Sequence, residues 1–263
     1  MILDYLPTVL NLIADVVLIY AIFIMIRLIG PTEGSRTVVF YIFAMVSLLI
    51  SNLYWFAYEI LRPGTRMPFA ANEIGEWATF LLLTAALSTI FHERQTDSLR
   101  ERAFAVFFIL SSVALWIGWS GEWIQDILTG FAYGYLAVNT VHLIRVTDLM
   151  PRKTEAVIAS VITVLLILHA SIFFIPKGAG AKVDAVCYII MFALMIYFAY
   201  LLVKAFRDGM ETEKLVCLTF VSFVWFTSVM YMSADPMYYV PQIFCTLDLL
   251  LMTLAIRRKV MET

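Results

Sequence analysis

The chain predicts an all-α polytopic membrane bundle of about nine transmembrane helices, and three observations carry that expectation. Of its 263 residues, 62% are hydrophobic and only 14% charged. The apolar residues fall into runs of about 20, the length that crosses a bilayer core. The basic residues gather in every second loop. Fourteen of the 18 Lys and Arg side chains lie at one set of junctions, namely Arg27, Arg36, Arg94, Arg100, Arg102, Arg145, Arg152, Lys153, Lys204, Arg207, Lys214, Arg257, Arg258 and Lys259. The opposite set holds only Arg62, Arg66, Lys177 and Lys182. Short basic loops stay cytoplasmic, so the N-terminus is expected outside and the C-terminus inside. The apolar runs are read as helices because a helix satisfies its own backbone hydrogen bonds in lipid. A membrane barrel needs alternating segments of about ten residues, and stretches such as 157–168 and 189–203 do not alternate.

Taken in order, the first span covers 7–29. It follows Met-Ile-Leu-Asp with no basic segment and no small-residue cleavage site, so it reads as a retained helix and not a cleaved signal. Four helical hairpins follow, 36–92, 102–146, 153–206 and 214–258, each descending helix ending in basic residues. Their spans are 36–61 and 73–92, 102–119 and 123–146, 154–175 and 183–206, 214–233 and 237–257. Dividing 102–146 into two spans keeps every later basic loop on the cytoplasmic side. The second and fourth hairpins are the most alike in length and turn, a pattern shared by an internal repeat and by any up-and-down bundle. No loop is long enough for a soluble domain, so residues 1–263 form a single transmembrane domain.

All eight prolines fall at or near helix ends, so no span shows the midplane break on which many transporters build a substrate site. Gly130 and Gly134 form a GxxxG pair, read as close helix packing within the bundle. The three cysteines, Cys187, Cys217 and Cys245, are scattered and suggest neither disulfides nor a zinc site.

The acids supply the functional signal. Ten of the 20, Asp4, Asp15, Glu59, Glu73, Glu76, Glu122, Asp126, Asp184, Asp235 and Asp248, lie on the outer side or in the outer half to middle of a span, interleaved with Trp and Tyr. An acidic mouth rimmed by aromatics suits a cationic ligand. Aromatics also collect at any membrane interface, and acids at helix starts cap free N–H groups. Glu73, Glu122, Asp184 and Asp235 are read as caps of that kind, with Asp184 opening its helix. Asp15 and Asp248 lie too deep for capping; Asp248 falls near the midplane, where ionisable groups face a cavity or a partner. Trp119, Glu122, Trp123 and Asp126 share one helix face by their spacing. The expected pocket is therefore lined by Asp15, Trp55, Tyr58, Glu59, Glu76, Trp77, Trp119, Trp123, Asp126 and Asp248. The turn carrying Arg62 and Arg66 forms its rim or lid. His169 is read as a core histidine or as the partner of Asp15 or Asp248 in a proton path.

No lysine lies deep enough for a retinal Schiff base, no histidines face each other at matched depth for haem, and HExxH, GxSxG and phosphate-loop motifs are absent. No cofactor, metal or nucleic-acid partner is expected. Three functions fit. The first is a sensing or receptor-like module of the cell membrane, with a small ligand outside and a cytoplasmic partner at Arg257-Arg258-Lys259. The second is a proton-coupled transporter of a small amine or cation. The third is a membrane-embedded enzyme using Glu59 and Glu76 as acid and base on a lipid head group.

Overall fold

The computed structural model describes residues 6–30, 34–62, 71–91, 123–233 and 236–262, together with some of the residues between 103 and 117. Eight complete α-helices are described: α1 (Leu6–Ile26), α2 (Ser35–Leu61), α3 (Ala71–Ile90), α4 (Trp123–Val146), α5 (Arg152–Ser171), α6 (Lys177–Arg207), α7 (Thr212–Met232) and α8 (Tyr239–Glu262). A short 3-10 turn, Ile172–Phe174, joins α5 to α6. The described residues contain no strand. Seven of the eight helices are long and apolar enough to cross a membrane. The eighth, α3, is as long as α5 at 20 residues but opens with Asn72, Glu73 and Glu76, which lower its hydropathy. The chain is thus a multi-pass helical bundle of membrane type, with nine spans expected and seven helices meeting that criterion among the described residues.

The described residues between 103 and 117 are helical. A Cβ placed on Gly130 would lie 2.8 Å from the Cα of Val113. In one continuous helix, those two residues would be about 25 Å apart. Val113 and Gly130 are therefore not on one continuous helix, and Gly130 of the GxxxG pair packs against the stretch that carries Val113. The junction between the two lies outside the described residues.

Six helices close into a ring. α1 packs on α2, α2 on α3, α3 on α4, α4 on α7, α7 on α8 and α8 on α1. The α5–α6 pair lies outside this ring and leans on it through α6 and α7. That position makes α7 the most enclosed helix, with Leu215, Phe220, Phe226 and Val229 all buried. At the basic end, α4 and α6 stop by glycine-type turns. Gly209, at φ 71°, ends α6, with the Asp208 and Met210 N–H groups donating to the Lys204 and Ala205 carbonyls; only glycine adopts that backbone without cost. Asp148, at φ 48°, ends α4 in the same way.

Two boundaries differ from the sequence expectation. Helix α6 begins at Lys177, seven residues ahead of Asp184, because the Pro176 carbonyl accepts the Ala179 and Gly180 N–H groups and starts the helix there. Asp184 therefore does not cap it. Helix α8 runs on to Glu262, held to the start of α7 by Lys259–Glu213 at 2.9 Å and by the Thr212 hydroxyl donating to Glu262 at 2.7 Å.

Candidate functional site

The outer end of the ring, meaning the end away from the Lys- and Arg-rich junctions, encloses a cavity of about 650 Å³. Five helices line it, each through residues spaced so that one helical face points inward. From α2 come Leu48, Ser51, Asn52 and Trp55; from α3, Asn72, Glu76, Thr79 and Phe80; from α8, Gln242, Cys245, Thr246 and Leu249. Those sets sit three, four, seven or eight positions apart, the period of a helix face. α1 adds Asn11 and Leu18, and α7 adds Phe223, Thr227 and Tyr231.

The wall is graded with depth. The deepest lining residue of each helix is apolar: Leu18, Leu48, Phe80, Phe223 and Leu249. Together they form a greasy floor. Above it the wall is polar, and four of its hydroxyls are committed to the protein. Ser51 donates to the Asn72 carbonyl at 2.8 Å, Thr79 to the Gly75 carbonyl at 2.7 Å, Thr246 to the Gln242 carbonyl at 2.9 Å and Ser233 to the Val229 carbonyl at 2.6 Å. The Gln242 amide donates to Asn11 Oδ1 at 2.6 Å, tying α8 to α1.

Glu76 is the acid in the wall. Its Oε2 accepts the Tyr231 hydroxyl at 2.7 Å. Tyr231 is held in turn by ring packing: Phe80, Tyr133 and Tyr231 meet edge to face, with centroids 5.4, 6.5 and 6.3 Å apart. Tyr133 is fixed by donating to the Val224 carbonyl at 2.6 Å and by its bond with the Ser228 hydroxyl. Glu76 sits on a tight seam. A Cβ on the neighbouring Gly75 would lie 2.8 Å from the Ser47 carbonyl oxygen and 2.9 Å from Ser51 Cβ, so only glycine lets α3 approach α2 this closely. The described residues lining the cavity include no Lys, Arg or His.

The structure places the expected site residues unevenly. Trp55 and Glu76 line the cavity. Trp77 points to α4 instead, donating its indole N–H to Thr129 at 2.7 Å. Tyr58 stacks on Tyr54 at 6.5 Å, half-buried near the end of α2, and Arg62 is the exposed cap residue there. The side chains of Glu59, Trp123 and Asp126, and all of Arg66 and Trp119, lie outside the described residues, as do Glu122 and Asp235. Asp15 and Asp248 are both buried, 4% and 1% exposed, beside the cavity and not in its wall. Asp15 has Asn52 as its polar neighbour. Neither oxygen of Asp248 has a hydrogen-bond partner among the described residues, though Tyr41 and Cys245 lie within electrostatic reach. Tyr41, directly beneath the floor, bonds the Thr253 hydroxyl at 2.9 Å and donates to the Leu249 carbonyl at 3.2 Å.

His169 sits on α5, outside the ring, with Asp184 as its electrostatic neighbour. It is buried there, as the core-histidine reading has it, and its electrostatic neighbour is neither Asp15 nor Asp248. Cys187, Cys217 and Cys245 are buried free thiols. Among the described residues, no three His, Cys, Asp or Glu side chains converge to hold a metal. At the opposite end, two of the three basic residues near the C-terminus are engaged: Lys259 with Glu213, and Arg258 with Glu262 at 3.2 Å.

Sequence reasoning, led by the acids, passed over Asn11, Ser51, Asn52, Asn72, Thr227, Gln242 and Thr246. Their signal was a helical period of polar residues in otherwise apolar spans. Compared with models of protein families, with curated proteins and with solved structures, the chain matches none.

Proposed function

We propose that the protein is a receptor-like module of the cell membrane that takes a small organic cation into the outer cavity and passes its occupancy to the basic end of the bundle. One observation carries the reading: a single carboxylate, Glu76, lies in a wall of amides, hydroxyls and aromatic rings whose described residues include no basic side chain. Such a wall attracts a cation through its charge and through the rings of Trp55, Tyr231 and Tyr239, all of which line the cavity, and it repels an anion. The floor of Leu and Phe from five helices closes the cavity below, which favours sensing over passage. α7 and α8 run unbroken from the cavity to the basic end, where Lys259–Glu213 joins them. A shift of Tyr231 or Gln242 on binding would therefore be felt there. Arg257, exposed beside that junction, is the remaining basic handle for a cytoplasmic partner.

The test is the melting temperature of the detergent-purified protein against a panel of organic cations, anions and neutral head-group analogues. A ligand at a hundred times its dissociation constant adds about 2.7 kcal/mol. A rise with cations that disappears in Glu76→Gln supports the reading; a rise with anions only, or an undiminished rise in the variant, refutes it.

Asp248 favours a second reading. A buried carboxylate one residue from the cavity floor is placed to carry a proton in a coupled transporter of an amine. Proteoliposomes separate the two, since proton-linked uptake of a bound cation supports transport and binding without uptake supports sensing.

A further inference from the structure

Resting on the cation reading of the cavity, we infer that its ligand is a primary or secondary amine with an apolar body, held tail-down, and not a quaternary ammonium ion. Three features of the wall point to this class. The first is the open valence of Glu76. Its Oε2 is occupied by Tyr231, whereas no described residue donates to Oε1. A carboxylate oxygen facing a cavity accepts an N–H, and a quaternary nitrogen has none to give.

The second is the polarity of the hydroxyls. Ser51, Thr79, Thr246 and Ser233 have each spent their one proton on a backbone carbonyl. Each therefore has lone pairs, and no donor, left to offer a guest. These four hydroxyls offer acceptors only, and they are matched by a guest that donates several times, as an alkylammonium does.

The third is the depth profile. Phe80 lies one helical turn below Glu76 on α3, and like Leu18, Phe223 and Leu249 it is the deepest lining residue of its helix. An ammonium at the height of Glu76 therefore puts whatever it carries onto an apolar floor. Every methylene buried there tightens binding about fourfold. The aromatic rings favour any organic cation, so they fix the charge of the guest but not its N–H count. That choice falls to Oε1.

The experiment uses four probes on the whole detergent-purified protein: phenethylamine, its N,N,N-trimethyl derivative, methylammonium and phenylacetate, each titrated by calorimetry. Hydrogen bonds to a charged group make the expected gap between the first two about ten- to a hundredfold in dissociation constant. Methylammonium, without a body to bury, should be weaker again, and phenylacetate should not bind. In Glu76→Gln the ratio between primary and quaternary amine should collapse towards one. Should that variant fail to fold, the wild-type ratio still decides the matter. Equal affinity for the primary and quaternary amines overturns this inference while leaving the cation reading intact. Methylammonium binding as tightly as phenethylamine overturns the tail-down placement. Binding of phenylacetate, or of no probe, overturns both the inference and the cation reading on which it rests.

Discussion

Replacing Gly75 by alanine adds one methyl group at the seam that positions Glu76. The new Cβ would lie 2.8 Å from the Ser47 carbonyl oxygen, 2.9 Å from Ser51 Cβ and 3.4 Å from Ser51 Cα. Carbon atoms in good contact sit about 3.5–4.0 Å apart, so α3 must back away by roughly 0.5–1 Å. Neither obstacle can swing aside, since one is backbone and the other a Cβ. Overpacking of this kind costs about 1–3 kcal/mol, and the better helix propensity of alanine returns about 1 kcal/mol. The net loss is then up to about 2 kcal/mol, and at about 2–4 °C per kcal/mol the melting temperature should fall by several degrees. Gly180→Ala is the matched control. Its Cβ meets only Ile172 Cγ2 at an ordinary 3.7 Å, so it should be neutral or stabilising by up to about 1 kcal/mol. Differential scanning fluorimetry on the two variants reads the sign directly. A rise in Gly75→Ala, or an equal fall in Gly180→Ala, would show that the α2–α3 seam does not set the spacing at the cavity.

Two further outcomes follow from other parts of the ring. Asp248→Leu removes a carboxylate whose insertion at helix-centre depth costs about 2.5–3.5 kcal/mol, set against about 1–3 kcal/mol for the bulkier side chain. Its melting temperature should be unchanged or higher, and a drop of more than about 5 °C would mean that a partner of Asp248 had been broken. Tyr133→Phe deletes the hydroxyl that ties α4 to α7 through the Val224 carbonyl and Ser228. Loss of one such net bond should lower stability by about 1 kcal/mol, and an unaltered unfolding curve would show that the tie contributes nothing.

The helices were legible because lipid demands them: apolar length and the placement of Arg and Lys marked most spans to within a few residues. The two displaced boundaries each have a local or tertiary cause. The run Pro176-Lys177-Gly178-Ala179-Gly180 reads as a loop by composition, yet Pro176 starts a helix whose glycines fall in its first turn or just after, where their low propensity matters least. The end of α8 was hidden because Lys259 and Glu262 look like a solvated tail until Glu213 and Thr212, 46 and 50 positions away, are known to be their partners. In the cavity, Glu76 and Trp55 were found because acids and aromatics stand out in apolar spans. Asp248 and Asp15 stood out for the same reason, but their depth says nothing about which face of the helix they occupy. The floor could not be read at all. Leu18, Leu48, Phe80, Phe223 and Leu249 resemble every other Leu and Phe in the chain, and only the closure of five helices brings them to one cavity.

The ring closes between the earliest and the latest of its helices, and that sets an order of assembly. Asn11 waits for Gln242, 231 positions further along the chain. At about 5–20 residues per second of synthesis, the interval is roughly 10–50 s. Through that time the inward face of α1, with Asn11 and Asp15, has α2 as its ring neighbour, and the amide of Asn52 is the polar group that α2 sets beside Asp15. A nascent chain stalled before α8 would hold an open trough with no floor at Leu249. The cavity is thus completed at once, at the last step, and never by degrees.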